Sequence, residues 1–494
     1  MLDKLFRRKS IDQSIESGEE ESHKLKRSIG AFDVVMIGIG GIIGAGIFAT
    51  IGTAAAGDLA RPGAGPALMV SFIITAIACG FAALCYSEFA AMVPISGSAY
   101  TYSYNSFGEI IAWIIGWDLI IEYAVGNVAV AISWANYFKT FVAGFGVNIP
   151  DWISTDYRTA MKIPGLYENA PHVLGIPIIF NLPAALIVAF ITIVLVMGIR
   201  KSANFNIVMV TLKLLVLGFF VFVGCYYVKP ANWSPFAPNG WAGIQSGAAI
   251  VFFAYIGFDA VSTVAEEVKN PKRDLPIGII GSLIICTVIY IVVAMVFTGI
   301  IPYSALVKML ATEQAEPLTM ALQYANIDKW GNLFVGIVAF GSIIAHTAVL
   351  LVFQLGQPRI FFSMSRDGLL PKAFSNVHPK YRTPAFSTIL TGLAVGVTAM
   401  FTSIDEMVDL TNIGTLFAFM LVCMGIIILR KKDPDRPRAF RTPWVPVVPI
   451  LGILSCFYLM MGLPVVTWFR FGLWLLLGLL FYFMYGYKHS KLRS

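Results

Sequence analysis

Apolar stretches of about 20 residues recur along the chain from Ala31 to Tyr487, each long enough to cross roughly 30 Å of hydrocarbon as an α-helix rising about 1.5 Å per residue. No other feature limits the possible folds so severely. Hydrophobic residues fill 57% of the 494 positions and charged residues 13%, against roughly 25% charged in soluble globular chains. Water cannot solvate most of such a chain, so an all-α membrane protein is expected. A membrane β-barrel would need polar and apolar residues alternating over segments of about ten, and a stretch such as SLIICTVIYIVVAMVFTGI does not alternate.

Twelve transmembrane helices are expected, at 31–57, 66–93, 109–138, 178–198, 203–227, 241–265, 277–300, 331–357, 384–402, 407–429, 443–463 and 468–487. An even count puts both termini on one side. With the amino terminus cytoplasmic, 26 Lys and Arg fall on the cytoplasmic side and 8 on the other, which orients both termini inward under the positive-inside rule. The net charge of +7 therefore marks sidedness rather than a nucleic-acid partner. One further cation, Lys213, lies inside the fifth span. The six cysteines (Cys79, Cys85, Cys225, Cys286, Cys423, Cys456) all fall in apolar segments without metal-ligand spacing and read as small buried hydrophobes. No disulfide framework, metal or cofactor is expected. Residues 1–30 hold no apolar core beside a cleavage site, so they read as a cytoplasmic tail and not a signal peptide.

Glycines interrupt two spans, the first in MIGIGGIIGAGIF and the sixth in IVFFAYIGFDAVST. Gly44 and Ala254 both lie roughly 20 Å along their helices, near the bilayer middle. Unwound backbone at that depth is tolerable only within protein or around a cavity, because lipid cannot satisfy its amides and carbonyls. Helices broken at mid-membrane in the first and sixth positions point to a 5+5 inverted repeat with a binding site between the repeats. The core is then 31–429, with repeats at about 31–227 and 241–429. A basic loop at 430–442, two additional helices at 443–487 and a tail at 488–494 follow. GIGGIIGAG superficially matches a dinucleotide fingerprint, but that motif needs a preceding strand and a soluble crossover helix. Small-residue helix packing would explain the glycines of the first span but not the sixth.

GIGGIIGAGIF in the first span, PISGSAYTY after the second, FDAVSTVAEEVKNPKRDLP closing the sixth and GQPRIFFSMSRDGLLPK after the eighth together resemble the amino acid, polyamine and organocation transporter superfamily. Within it the chain resembles the bacterial relatives of the cationic amino acid transporters, over about residues 25–490. The resemblance implies a leucine-transporter-like fold of ten core helices plus two. It also implies alternating access and residence in a bacterial cytoplasmic membrane. The substrate it implies is an L-amino acid.

A zwitterion entering a dry site needs both charges paired, and broken helices supply partners without spending a side chain. The amides of Gly44, Ala45 and Gly46, beside Ile43, begin the outer half of the first span and suit a carboxylate. Carbonyls of Phe253, Ala254 and Ile256 at the break of the sixth suit an ammonium group. The resemblance assigns backbone recognition to these same positions and makes Phe253 a lid over the substrate.

Asp118, Glu122, Lys213, Asp259 and His346 are ionisable residues inside spans, and such groups are functional suspects by default. Asp118 and Glu122 share one face of the third span, placed either along a pathway or against capping donors. Asp259 reads as a cap on the inner half of the sixth span, and Glu88 as an interfacial structural residue. His346 has two readings, a hydrogen-bonded structural group or, because the resemblance places the middle of the eighth span against the substrate side chain, a selectivity group. Close relatives usually carry an uncharged residue there. Lys213 lies too deep for easy snorkelling. The resemblance makes it the proton-responsive group standing where sodium-coupled relatives bind their ion, donating to carbonyls freed in the first span, with Glu122 a second coupling candidate. The alternative is a permanently charged staple.

The expected function is proton-coupled uptake of small or branched neutral L-amino acids, with lipids and protons as partners. A cationic amino acid transporter, an exchanger and a sensor on the same fold are the alternatives. A membrane-embedded enzyme is remote, because the five histidines are scattered without acidic partners.

Overall fold

The computed structural model describes residues 6–13, 27, 29–95, 97–163, 165–198, 203–310, 316–327, 329–381 and 383–492. Most of the expected amino-terminal tail, together with Arg200, Lys201 and Arg382, lies outside the described residues. Among the described residues, nine helices are long and apolar enough to cross a membrane: Ala31–Ala56, Gly65–Met92, Glu109–Ala143, Ile207–Cys225, Gly240–Glu267, Pro271–Ile300, Gly331–Arg366, Ile404–Lys432 and Val465–His489. Three shorter apolar helices, Leu182–Met197, Ala385–Phe401 and Val447–Met461, occupy the expected fourth, ninth and eleventh spans. A two-stranded hairpin, His172–Val173 against Ile176–Pro177, sits in the connection before Leu182.

The helices sort their faces by solvent. Along Leu182–Met197, the exposed Leu186, Phe190, Ile193 and Met197 recur at helical spacing, whereas Ile187, Val188, Ile191 and Leu195 on the opposite side are buried. An exposed apolar stripe of this kind suits hydrocarbon. Between helices, where apolar surface gains nothing from leaving lipid, close backbone approach and hydrogen bonds hold the contacts. The amino-terminal half of the first span, Ala31–Ile42, lies so near the seventh span that a Cβ on Gly278 would strike Val34, and one on Gly38 would strike Ser282.

Two expectations are corrected. The eighth span does not end at residue 357 but continues to Arg366 through Pro358, because one missing N–H is tolerable where neighbouring packing holds the helix. The residues that follow the second span include the helix Ser98–Ser106, with Tyr100, Tyr102 and Tyr104 buried. Cys225, at the end of the fifth span, is exposed, while the other five cysteines are buried as expected.

On one end of the bundle the two ends of the described chain meet. Arg7 donates to the Leu492 carbonyl (2.8 Å), and the Glu109 amide donates to the Arg7 carbonyl (2.9 Å). Asp12 pairs there with Arg436 (2.6 Å), an exposed contact that holds the Asp12 carboxyl below its ordinary range. Glu88, buried, pairs with Arg430 (2.8 Å) and Arg438 (3.1 Å) and accepts from the Thr442 amide (2.8 Å). It anchors the 433–446 loop.

Candidate functional site

The first span is helical to Ile42, extended at Ile43 (φ −76°, ψ 103°), and helical again from Gly46 in a wide π turn, Gly46–Thr50, that leads into Ile51–Ala56. The sixth is helical over Gly240–Val251, tightens over Phe252–Tyr255, becomes extended at Ile256 (φ −61°, ψ 135°) and resumes over Asp259–Glu267. Gly257 adopts φ +114°, which an L side chain would strain. The two breaks meet backbone to backbone: a Cβ on Gly46 would overlap Ala254, and one on Gly257 would press into Gly41.

Fixed donors already occupy part of what the breaks free. The Lys213 ammonium position, fully buried, donates to the carbonyls of Gly40 (2.6 Å) and Ile43 (2.8 Å). The Tyr290 hydroxyl of the seventh span reaches the carbonyls of both breaks, Ile42 (3.0 Å) and Ala254 (2.8 Å). The Tyr137 hydroxyl donates to the Phe48 carbonyl (2.5 Å). The Ala254 carbonyl, expected to face an ammonium group, is thus shared with Tyr290. The amides of Gly44, Ala45 and Gly46 lie at the amino-terminal end of the second half-helix of the first span, the position that lacks intrahelical partners.

Glu122 sits in a π turn of the third span, Ile121–Val125, and faces Asp259 of the sixth span with Asp118 and Thr415 beside it, rather than Lys213. Asp259 accepts from the Gly257 amide (3.3 Å), next to the break it was expected to cap. The acids and the lysine therefore form two separate polar groups, one at each break.

His346 is fully buried, its Nε2 2.7 Å from the Ser133 hydroxyl and its Nδ1 2.7 Å from the Ser342 carbonyl. A carbonyl only accepts, so Nδ1 carries the proton. The ring also packs on Phe48 and Tyr137, with centroids 5.8 and 5.7 Å away. With both nitrogens engaged, this geometry favours the structural reading. His346→Ala is expected to lower the thermal stability of the purified protein by about 2–4 kcal/mol through a cavity and an orphaned serine, with the rank order of substrates preserved. A reordered substrate list in competition uptake would instead establish the selectivity role.

Tyr290 escaped the sequence reading because one tyrosine among apolar residues carries no motif. Tyr290→Phe keeps its packing on Phe72 and Tyr255, both centroids at 5.5 Å, but removes the donor shared by the breaks. Substrate affinity should fall about tenfold, the effect of one buried hydrogen bond. An unchanged Kd by titration calorimetry would separate Tyr290 from the site. Also unforeseen is Arg61, which bridges Asp58 (2.8 Å) and Asp409 (2.8 Å) and ties the carboxy-terminal end of the first span to the tenth.

The family model described as amino acid permease matches residues 29–481. A branched-chain amino acid permease of Bacillus subtilis is 46% identical over 494 residues, covering 100% of both chains. A methylthioribose transporter of the same organism is 44% identical over 493 residues, again covering 100% of both. The vacuolar cationic amino acid transporter 4 of Arabidopsis thaliana is 36% identical over 440 residues, 88% of this chain and 68% of that one.

Proposed function

The chain belongs to the amino acid permease family, and from that premise we propose that it takes up small or branched neutral L-amino acids together with protons by alternating access. The observation that carries this reading is the meeting of two helix breaks, with the amides of Gly44, Ala45 and Gly46 on one side and the carbonyls around Phe253, Ala254 and Ile256 on the other. Such a junction pairs a carboxylate and an ammonium group through backbone alone. The three shorter apolar helices beside the nine long ones support twelve spans, and breaks in the first and sixth support the 5+5 inverted repeat. The excess of basic residues supports cytoplasmic termini in a bacterial membrane.

The preference for neutral side chains rests on the branched-chain permease relative at 46% identity. It rests also on Glu122 and Asp259 being turned toward each other, which leaves neither as an obvious partner for a cationic side chain. Proton coupling runs through Lys213, whose hydrogen bonds brace the first span, and through Glu122, a buried carboxyl that faces Asp259. Methylthioribose, suggested by the relative at 44% identity, is the second reading. A thermal-shift screen of the purified protein against the twenty L-amino acids and methylthioribose tests both, since ligands of the native state raise its stability. Leucine, isoleucine and valine should give the largest shifts. Stabilisation by methylthioribose alone would overturn the amino acid reading.

A further inference from the structure

On the end of the bundle where the chain ends meet, a groove of about 550 Å³ opens between the first turns of the seventh-span helix, Pro271–Ile300, and the loop after the tenth span. Pro276, Ile277 and Ile280 line it on the helix side and Phe440 on the loop side, with Lys272 and Arg273 at the helix start. Its lining is mostly apolar, and Ile277 is 41% exposed. On the same end, Arg430 and Arg438 share Glu88, Arg436 pairs with Asp12 and Lys9 with Asp367. Among the described residues, Lys272 and Arg273 have no ion-pair partner. Both are exposed.

The pattern is an apolar trough along a membrane helix that ends in two uncompensated cations, where the helix leaves hydrocarbon. A soluble anion would use the cations and leave the trough wet. An apolar molecule would fill the trough and leave the charges unused. A ligand with an anionic head and an acyl tail satisfies both, and the membrane supplies such a ligand from the side.

We propose that this groove binds one anionic glycerophospholipid of the adjoining leaflet, its phosphate between Lys272 and Arg273 and an acyl chain along Pro276, Ile277 and Ile280 against Phe440. The site adjoins the first span. Gly281, also on the groove, would place a Cβ 3.5 Å from Val35, and Ile29 pairs with Val268 just before the helix begins. The lipid therefore packs beside the inner half of the first span and its tether.

The test is lipid binding to the full-length protein in detergent, read by native mass spectrometry with phosphatidylglycerol and phosphatidylcholine as probes. Wild type should prefer phosphatidylglycerol. Lys272→Gln with Arg273→Gln should weaken phosphatidylglycerol binding roughly thirtyfold, about fivefold per cation, with phosphatidylcholine unaffected. Ile277→Trp, which fills the trough and spares the cations, should also lower phosphatidylglycerol binding. Glycerol 3-phosphate, which has the head and no tail, should fail to displace the lipid. Equal phosphatidylglycerol binding by wild type and the double variant overturns the proposal, as does full displacement by glycerol 3-phosphate.

Discussion

Lys213→Met is expected to abolish concentrative uptake driven by an inward proton gradient while leaving a folded protein in the membrane. The lysine is fully buried and donates to the carbonyls of Gly40 and Ile43, one on each side of the turn where the first span unwinds. Methionine matches its length but supplies neither charge nor donor. Charge-assisted hydrogen bonds to a protonated amine are roughly twice as strong as neutral ones. Protonation at Lys213 therefore tightens the brace between the fifth span and the first, and deprotonation loosens it. Losing two such bonds, at about 1.5 kcal/mol each, corresponds to a fall of roughly a hundredfold in accumulation. A staple that never titrates would also be damaged by this change, so lost transport alone does not discriminate. The measurement is uptake in sodium-free proteoliposomes with and without an imposed pH gradient, alongside substrate counterflow. Wild type should concentrate substrate only with the gradient, and the variant should retain counterflow but lose the response to pH. A variant with an undiminished gradient response, or a wild type that requires sodium, would falsify coupling through Lys213.

Gly46→Val is expected to eliminate binding of every substrate. The glycine lies where the outer half of the first span meets the sixth, and any Cβ there would overlap the backbone of Ala254. Valine thus forces the two breaks apart and also blocks a carboxylate approaching the amides. Because backbone rather than a mobile side chain stands in the way, even Gly46→Ala should weaken affinity severely. Apolarity of the helix is unaffected, so membrane insertion should persist. Gly80→Val in the second span is a suitable control, since a Cβ there meets nothing within 4 Å. Ligand-induced thermal stabilisation should vanish for Gly46→Val and persist for Gly80→Val. Normal binding by Gly46→Val, beside loss of binding in sixth-span variants, would refute the half-helix account of carboxylate recognition.

The helical membrane architecture was legible because its cause is local. Apolar runs longer than the hydrocarbon is thick admit few folds, and the glycine interruptions at Gly44 and Gly257 mark where a helix cannot continue. The depth of Lys213 along its own span was likewise readable, and so was the need for carbonyl partners. The end of the eighth span was not, because a proline inside a helix is tolerated or not according to packing that lies outside the local sequence. Cys225 was read as buried because composition records that a segment is apolar, not which of its faces looks outward.

What the sequence determined by itself, then, is solvent, helix content and the positions of the two breaks, each set by short-range chemistry along one strand of chain. Tertiary structure alone decided which groups share a contact. Glu122 could have faced Lys213 or the sixth span, since rotation of the third helix about its axis costs nothing that the local sequence registers. Packing turned it to Asp259. In the same way Tyr290 became the donor to both breaks, and His346 was closed between Ser133 and Ser342. The physical reason is that a buried polar atom must find a partner, and which partner is near depends on helices that can be far apart in sequence, as Ser133 is from His346, but pack side by side in space.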